Sequence, residues 1–371
     1  MIFIILVAIR ISKVIKNICH NLKRPGHGSV DEKMGKIKST CMRILFIFLL
    51  LINLFATSQT VKILTSGTKT SLRGLSVVND KIIWASGSKG MVARSVDGGD
   101  SWKWLTVKGF EKSDFRDIEA FDSGTAIIMG IGSPAYILKT IDGGQTWNIV
   151  YENKAPAMFL DAMDFANNKN GIVIGDPVNN KFFIARTFDG GDTWNEIPTQ
   201  NVPAADSGEA CFAASGTNIK LLEQDKTYFV SGGLSSRLFF KDKSISLPVI
   251  QGKESTGANS VAVKNKKTLI IVGGDFNTPD STKKNCVITT DMGKTWMAPA
   301  IPPHGYRSCI EYISKKKWIS CGLNGIDYST NDGKTWQWIS KESFHVCRRV
   351  KAGKSIFFAG ENGKIGRLND N

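Results

Sequence analysis

Beyond about residue 60 the chain runs as short apolar stretches of strand length separated by polar, glycine-bearing turns, and one eight-residue turn recurs almost unchanged. It reads SVDGGDSW at Ser95–Trp102, TIDGGQTW at Thr140–Trp147, TFDGGDTW at Thr187–Trp194, TTDMGKTW at Thr289–Trp296 and STNDGKTW at Ser329–Trp336. The pattern is S/T-x-D-x-G-x-S/T-W, with Asn331 replacing the aspartate in the last copy. Each copy joins two strand-like runs, as VARSVD with WKWL or FFIARTFD with WNEI, so each predicts a hairpin. Gly99, Gly144, Gly191, Gly293 and Gly333 stand where the turn needs a positive φ, the aspartate accepts turn amides, and the tryptophan buries a large ring.

From Asp97 the intervals between copies are 45, 47, 102 and 40 residues, and the long interval hides a degenerate copy, LFFKDKSIS at Leu238–Ser246. Counting outward gives seven units, whose first strands begin near Arg73, Arg116, Asp161, Glu209, Ser260, Arg307 and Arg348. The seventh unit has only three strand-like runs, and Val61–Thr65 supplies a fourth that closes the ring and removes exposed sheet edges. The repeated octapeptide makes residues 60–371 resemble the Asp-box (BNR) β-propellers, a group that includes sialidases, sortilin-type receptors and photosystem II stability/assembly factors. The resemblance implies an all-β, seven-bladed β-propeller spanning 59–371, in which Asp97, Asp142, Asp189, Asp291 and Asn331 are structural.

In such a ring the Asp boxes share one face with the short turns at Asn79-Asp80 and Ser314-Lys315. The opposite face carries the longer segments Lys108–Ser113, Thr199–Gly208, Ile250–Ala258 and Gly273–Asn285, and long loops on one end of a rigid scaffold are the usual place for binding. The first strands open onto that face, so Arg73, Arg116, Asp161, Asp176, Glu209, Tyr306, Arg307 and Arg348 are the candidate ligand-binding residues of the channel mouth. Arginine offers a planar fork to carboxylates and other anions. The same residues also permit internal pairing, Arg73 with Asp161 and Arg116 with Glu209, which would keep a polar channel satisfied.

Residues 1–58 read as an address. Ile44–Ala56 is an apolar run too short to span a bilayer, followed by Ala56-x-Ser58 before Gln59, as in a secretory signal. Met34 or Met42 is an alternative initiator, and the apolar residues 2–9 leave a membrane anchor open as a second reading. The expected destination is periplasmic, cell-surface or secreted. The chain's formal charge is +15, of which +7 falls in residues 1–58. The remainder is spread thinly and no nucleic-acid module is visible, so nucleic acid is not an expected partner. Cys211, Cys286, Cys309, Cys321 and Cys347 lack CxxC spacing and read as buried free thiols. His304 and His345 sit in no ligand pattern, so neither a metal nor a cofactor is expected.

The expected function is an exported, non-catalytic binding or assembly-factor-like module, monomeric, with a protein, anionic or carbohydrate ligand at the mouth. The alternative is a glycoside hydrolase of the Asp-box type using Asp161, Asp176 or Glu209. It is weakened by the unit count and by the missing F-R-I-P segment. GIGSPA at Gly130–Ala135 does not match GxGxxG and has no helix after it, so nothing supports a dinucleotide site.

Overall fold

The computed structural model describes residues 59–369 apart from 224, 225 and 242. The export signal and cleavage site expected in residues 1–58 lie outside the described residues. The alternating runs of the sequence form seven antiparallel blades. Blade 1 is Leu72–Val77, Ile83–Gly87, Met91–Ser95 and Lys103–Thr106, and blade 2 is Phe115–Ala120, Ala126–Gly130, Ala135–Thr140 and Asn148–Asn153. Blade 3 is Leu160–Phe165, Gly171–Val178, Lys181–Thr187 and Asn195–Glu196, and blade 4 is Ile219–Glu223, Lys226–Val230, Arg237–Phe240 and Lys243–Ser246. Blade 5 has Thr256–Val263, Leu269–Asp275 and Cys286–Thr289, with a single bridge from Ile288 to Met297 where an outer strand would lie. Blade 6 is Cys309–Ser314, Lys317–Gly322, Gly325–Ser329 and Gln337–Ser340. Blade 7 is Val346–Arg349, Ile356–Ala359 and Ile365–Asn369, and Thr60–Thr65 pairs antiparallel to the last of these as its outer strand.

The core is a series of layers between neighbouring blades rather than one central mass. Trp84, Val92, Phe115 and Ile128 pack blade 1 on blade 2, Met129, Ile137, Leu160 and Val173 pack blade 2 on blade 3, and Phe182, Phe229 and Phe239 pack blade 3 on blade 4. The layer between blades 6, 7 and 1 is the largest and contains Cys309, Cys321 and Cys347. Alternation along each strand sends apolar side chains to both neighbours, which explains why inner and middle strands are buried on both faces.

One feature of blade 4 corrects the sequence reading. Its inner strand begins at Ile219, not near Glu209; Glu209–Ala210 forms a two-residue strand with Gly232–Gly233 instead. The residues between, Cys211–Asn218, leave the sheet and cross the channel. The small side chains of Ala213–Thr217 permit this passage: a Cβ on Gly216, whose φ is 64°, would meet the Asp117 carboxylate at 2.2 Å.

The Asp boxes are the hairpin turns between third and fourth strands. In the first copy the Ser95 hydroxyl donates to Asp97 Oδ1 (2.8 Å) and accepts from the Gly99 amide (2.8 Å), while Asp97 accepts the Ser101 amide (2.9 Å). The set repeats at Asp142, Asp189, Asp291 and Asn331, whose amide oxygen replaces the carboxylate. Hydrogen bonds from the following Ser or Thr hold Asp97, Asp142 and Asp291 down at about 2. Asp189 also lies at about 2, where hydrogen bonds from Thr193 and Thr187 outweigh the upward pull of burial. In the degenerate copy Lys241 takes the turn at φ 52° between Arg237–Phe240 and Lys243–Ser246.

Candidate binding site at the channel mouth

The Cys211–Asn218 crosspiece divides the channel into two cavities. A cavity of about 460 Å³ opens among the long loops, and one of about 490 Å³ opens on the Asp-box side among the ends of the inner strands. The crosspiece bonds to all seven blades. Arg73 and Arg116 donate to the Ala214 and Ala213 carbonyls (3.2 and 3.4 Å), and the Cys211 amide donates to Asp176 (2.9 Å). The Val230 and Val261 amides donate to the Asn218 and Thr217 carbonyls (2.8 and 2.9 Å). Ser215 donates to the Ser308 carbonyl (2.7 Å) at the entry to blade 6, and Arg348 of blade 7 donates to the Ser215 carbonyl (3.1 Å).

The loop-face cavity gathers five of the eight candidate residues: Arg73, Arg116, Asp161, Asp176 and Tyr306. The other three are held elsewhere. Glu209 is buried and bound to Arg237 and Ser231, and its amide-bonding partner Asp206 lies in the same loop. Arg307 is completely buried, donating to Asp327 from Nε (2.6 Å) and to the Tyr306 carbonyl (2.8 Å). Arg348 lines the other cavity, on the far side of the crosspiece. The internal pairs expected from sequence are not the ones that form: Arg116 pairs with Asp114 (2.8 Å), Glu209 pairs with Arg237, and Arg73 binds the Ala214 carbonyl. Local geometry decides these pairings. Asp114 is two residues from Arg116, and Glu209 sits in a side sheet rather than at the start of a blade.

Electrostatically the cavity is unbalanced. Among the described residues no carboxylate lies within ion-pair distance of Arg73, and burial, then the neighbouring Arg116, weaken its hold on its proton. Asp161 is completely buried and its carboxyl is pushed well above the usual carboxylate range by burial and then by the adjacent Asp176. Burial raises Asp176 to about 6. Burial, then Arg73 and Arg116, press His345 down to about 3, so it carries no charge here. Tyr306 is kept a phenol by burial and donates to Asn259 Oδ1 (2.8 Å).

Sequence reading missed the apolar wall of this cavity, Phe159, Phe212, Phe276 and Leu323, together with His345. Phe276 was signalled only as part of the long insertion, and its edge-to-face contacts with Phe212 and Tyr306 (5.9 and 6.3 Å) depend on loop closure. His345 Nε2 is 3.2 Å from Ser71 Oγ, yet its Nδ1 has no hydrogen-bond partner. A Ser–His pair without a group orienting Nδ1 lacks the third member of a nucleophilic triad.

Residues 55–158, covering the first two blades, match the family described as Photosynthesis system II assembly factor YCF48. Similar solved structures include YCF48 bound to D1 peptide, at 16% identity and a TM-score of 0.59 over 85% of this chain and 98% of that one. YCF48 from Cyanidioschyzon merolae aligns at 14% identity and 0.60, over 83% and 98%. The WD40 β-propeller domain of Doa1 aligns at 13% and 0.58, over 84% and 98%. At these identities the structural likeness is one of fold. No curated protein matches the sequence significantly.

Proposed function

Taking the chain as a photosystem II assembly factor-like, BNR-type β-propeller, we propose that it is an exported, non-catalytic binding and assembly module that holds an anionic segment of a protein partner in the loop-face cavity. The observation that carries this reading is the Arg73 guanidinium, set beside Arg116 with no ion-paired carboxylate among the described residues and framed by Phe159, Phe212 and Phe276. A carboxylate entering this frame receives charge-assisted hydrogen bonds while its neighbouring carbons meet aromatic faces. A relative solved with a bound peptide supports a polypeptide as the ligand class. Export rests on the apolar run and the Ala-x-Ser site of the leader.

Binding is favoured over glycoside hydrolysis by the burial of Asp161. A glycosidase needs two carboxyls that reach opposite sides of the scissile bond, separated by roughly 5 to 9.5 Å. Asp161 is completely buried, which leaves Asp176 as the accessible member of the pair.

The test compares a peptide library with free C-termini against the same library amidated, on the wild-type chain and on Arg73→Ala. Free carboxylates are expected to bind better, and the substitution to weaken them about tenfold or more, since a hydrogen bond to a charged group is worth roughly 1.5–3 kcal/mol. Affinity should rise as pH falls through about 6, because Asp176 then loses its negative charge. Equal binding of both libraries, with Arg73→Ala indistinguishable from wild type, would sink the proposal.

A further inference from the structure

Cys309, Cys321 and Cys347 are separated by 12 and 26 residues in sequence and form no CxxC pair. Strand pairing nevertheless brings them together. Cys309 on the inner strand of blade 6 lies directly opposite Cys321 on the next strand, and Cys347 faces both from the inner strand of blade 7. All three sulfurs lie within 4.8 Å of one another, with Cys347 Sγ 3.7 Å from Cys309 Sγ. The three side chains are completely buried.

From this geometry we propose that the three sulfurs form a closed, three-coordinate site for a soft monovalent ion, Cu(I). With metal–sulfur bonds of about 2.3 Å, a trigonal ion holds its sulfurs about 4.0 Å apart, which is within the spread seen here. Soft thiolate donors select soft d¹⁰ ions. Among the described residues no His, Asp or Glu side chain joins the cluster. Among the described residues no fourth His, Cys, Asp or Glu ligand stands beside the three sulfurs to complete the tetrahedron that structural zinc takes.

The surroundings suit an anionic sulfur cluster. Cys309 Sγ accepts the Cys347 amide (3.4 Å), the Thr217 hydroxyl (3.6 Å) and Arg348 Nη1 (3.7 Å). On binding, each sulfur that is still a thiol gives up its proton and forms one Cu–S bond, with no change in oxidation state. Thr217 and Arg348 line the Asp-box-side cavity, so this channel end reaches the outer shell of the site and provides the path for ion and protons. The site is separate from the loop-face cavity and stands or falls independently of the peptide-binding reading.

The experiment uses the full chain with Cys19→Ser and Cys41→Ser, reduced and anaerobic, titrated with Cu(I) against a chromophoric Cu(I) chelator. One Cu(I) per chain should be retained and should raise the melting temperature. Cys309→Ala and Cys347→Ala should each lose that ion, while Cys211→Ala keeps it. X-ray absorption on the unsubstituted cluster should show three sulfur neighbours, which keeps the test decisive if an alanine variant fails to fold. Retention of Cu(I) by both alanine variants, a shell of nitrogen or oxygen donors, tighter binding of Zn(II), or a Cys309–Cys347 disulfide in the protein as isolated would each overturn the assignment.

Discussion

Aspartates on the rim and acidic groups in the channel are displaced in opposite directions. At the Asp boxes each carboxylate stands in or near water, accepts several hydrogen bonds from its own turn, and lies at about 2. In the channel, burial dominates: Asp117 rises to about 8 and Glu311 to about 7, although Arg348 pulls both downward. The first environment recurs from blade to blade and builds turns. The second occurs once per residue, because each channel position meets a different stretch of the crosspiece or a different neighbour. Repeated surroundings mark architecture, and surroundings that belong to one blade mark the places where this propeller departs from its own repeat.

The largest expected effect tests whether Arg307 belongs with the architecture. Arg307→Ala leaves Asp327 buried with, among the described residues, only the His304 amide (2.9 Å) as a remaining donor, so denaturant unfolding should show a loss of roughly 3–5 kcal/mol. Arg73→Ala, which removes one bond to a carbonyl, should cost about 1 kcal/mol. Equal losses would erase the distinction between a framework arginine and a mouth arginine.

A pH series sharpens the contrast between rim and channel. Asp117 and Glu311 have folded values above their ordinary 3.8 and 4.5, so folding takes up protons and stability should decline as pH climbs from about 4 to about 8. The Asp boxes lie below 3.8, so their contribution is complete above about 4 and is lost as pH falls towards 2. Unfolding free energy should therefore peak on the acid side of neutrality, and Asp117→Asn should flatten the decline above the peak. A profile that rises steadily from pH 4 to 8 would contradict this account. The smallest effect belongs to a single rim turn. Asp142→Ala should lower the melting temperature by a few degrees and leave peptide affinity per folded molecule unchanged, and a loss of affinity at constant melting temperature would place the boxes in the binding machinery.

Wherever structure follows from local spacing, the sequence was readable. The octapeptides placed the hairpins and their intervals placed the blades, and even the degenerate Leu238–Ser246 copy falls on a third-to-fourth-strand turn. What escaped is long-range. Glu209 looked like the start of a blade because it is followed by an apolar run, but the AASGT that follows Phe212 is composed of residues small enough to traverse a channel, a property strand periodicity does not express. Arg73, Arg116, Asp161 and Tyr306 were found because first-strand starts converge in any closed ring, whereas Asp176 reaches the mouth from the second strand of blade 3. Arg307 was misplaced because its partner Asp327 lies on the third strand of the same blade. The cysteine triad was invisible because only cross-strand and cross-blade pairing makes positions 309, 321 and 347 neighbours.

The crosspiece also bears on how this fold can change over generations. Propellers grow or shrink by gaining or losing a blade, which is tolerable when the axis is solvent. Here an eight-residue segment reaches a partner on every blade, and hydrogen bonds fail beyond about 3.5 Å. An added blade would widen the bore and pull the Ala213, Ala214 and Ser215 carbonyls out of range of Arg116, Arg73 and Arg348. A deleted blade would crush Gly216 against Asp117. The number seven is thus fixed at the centre of the ring as well as at its circumference, and descendants with another count must first recut Cys211–Asn218.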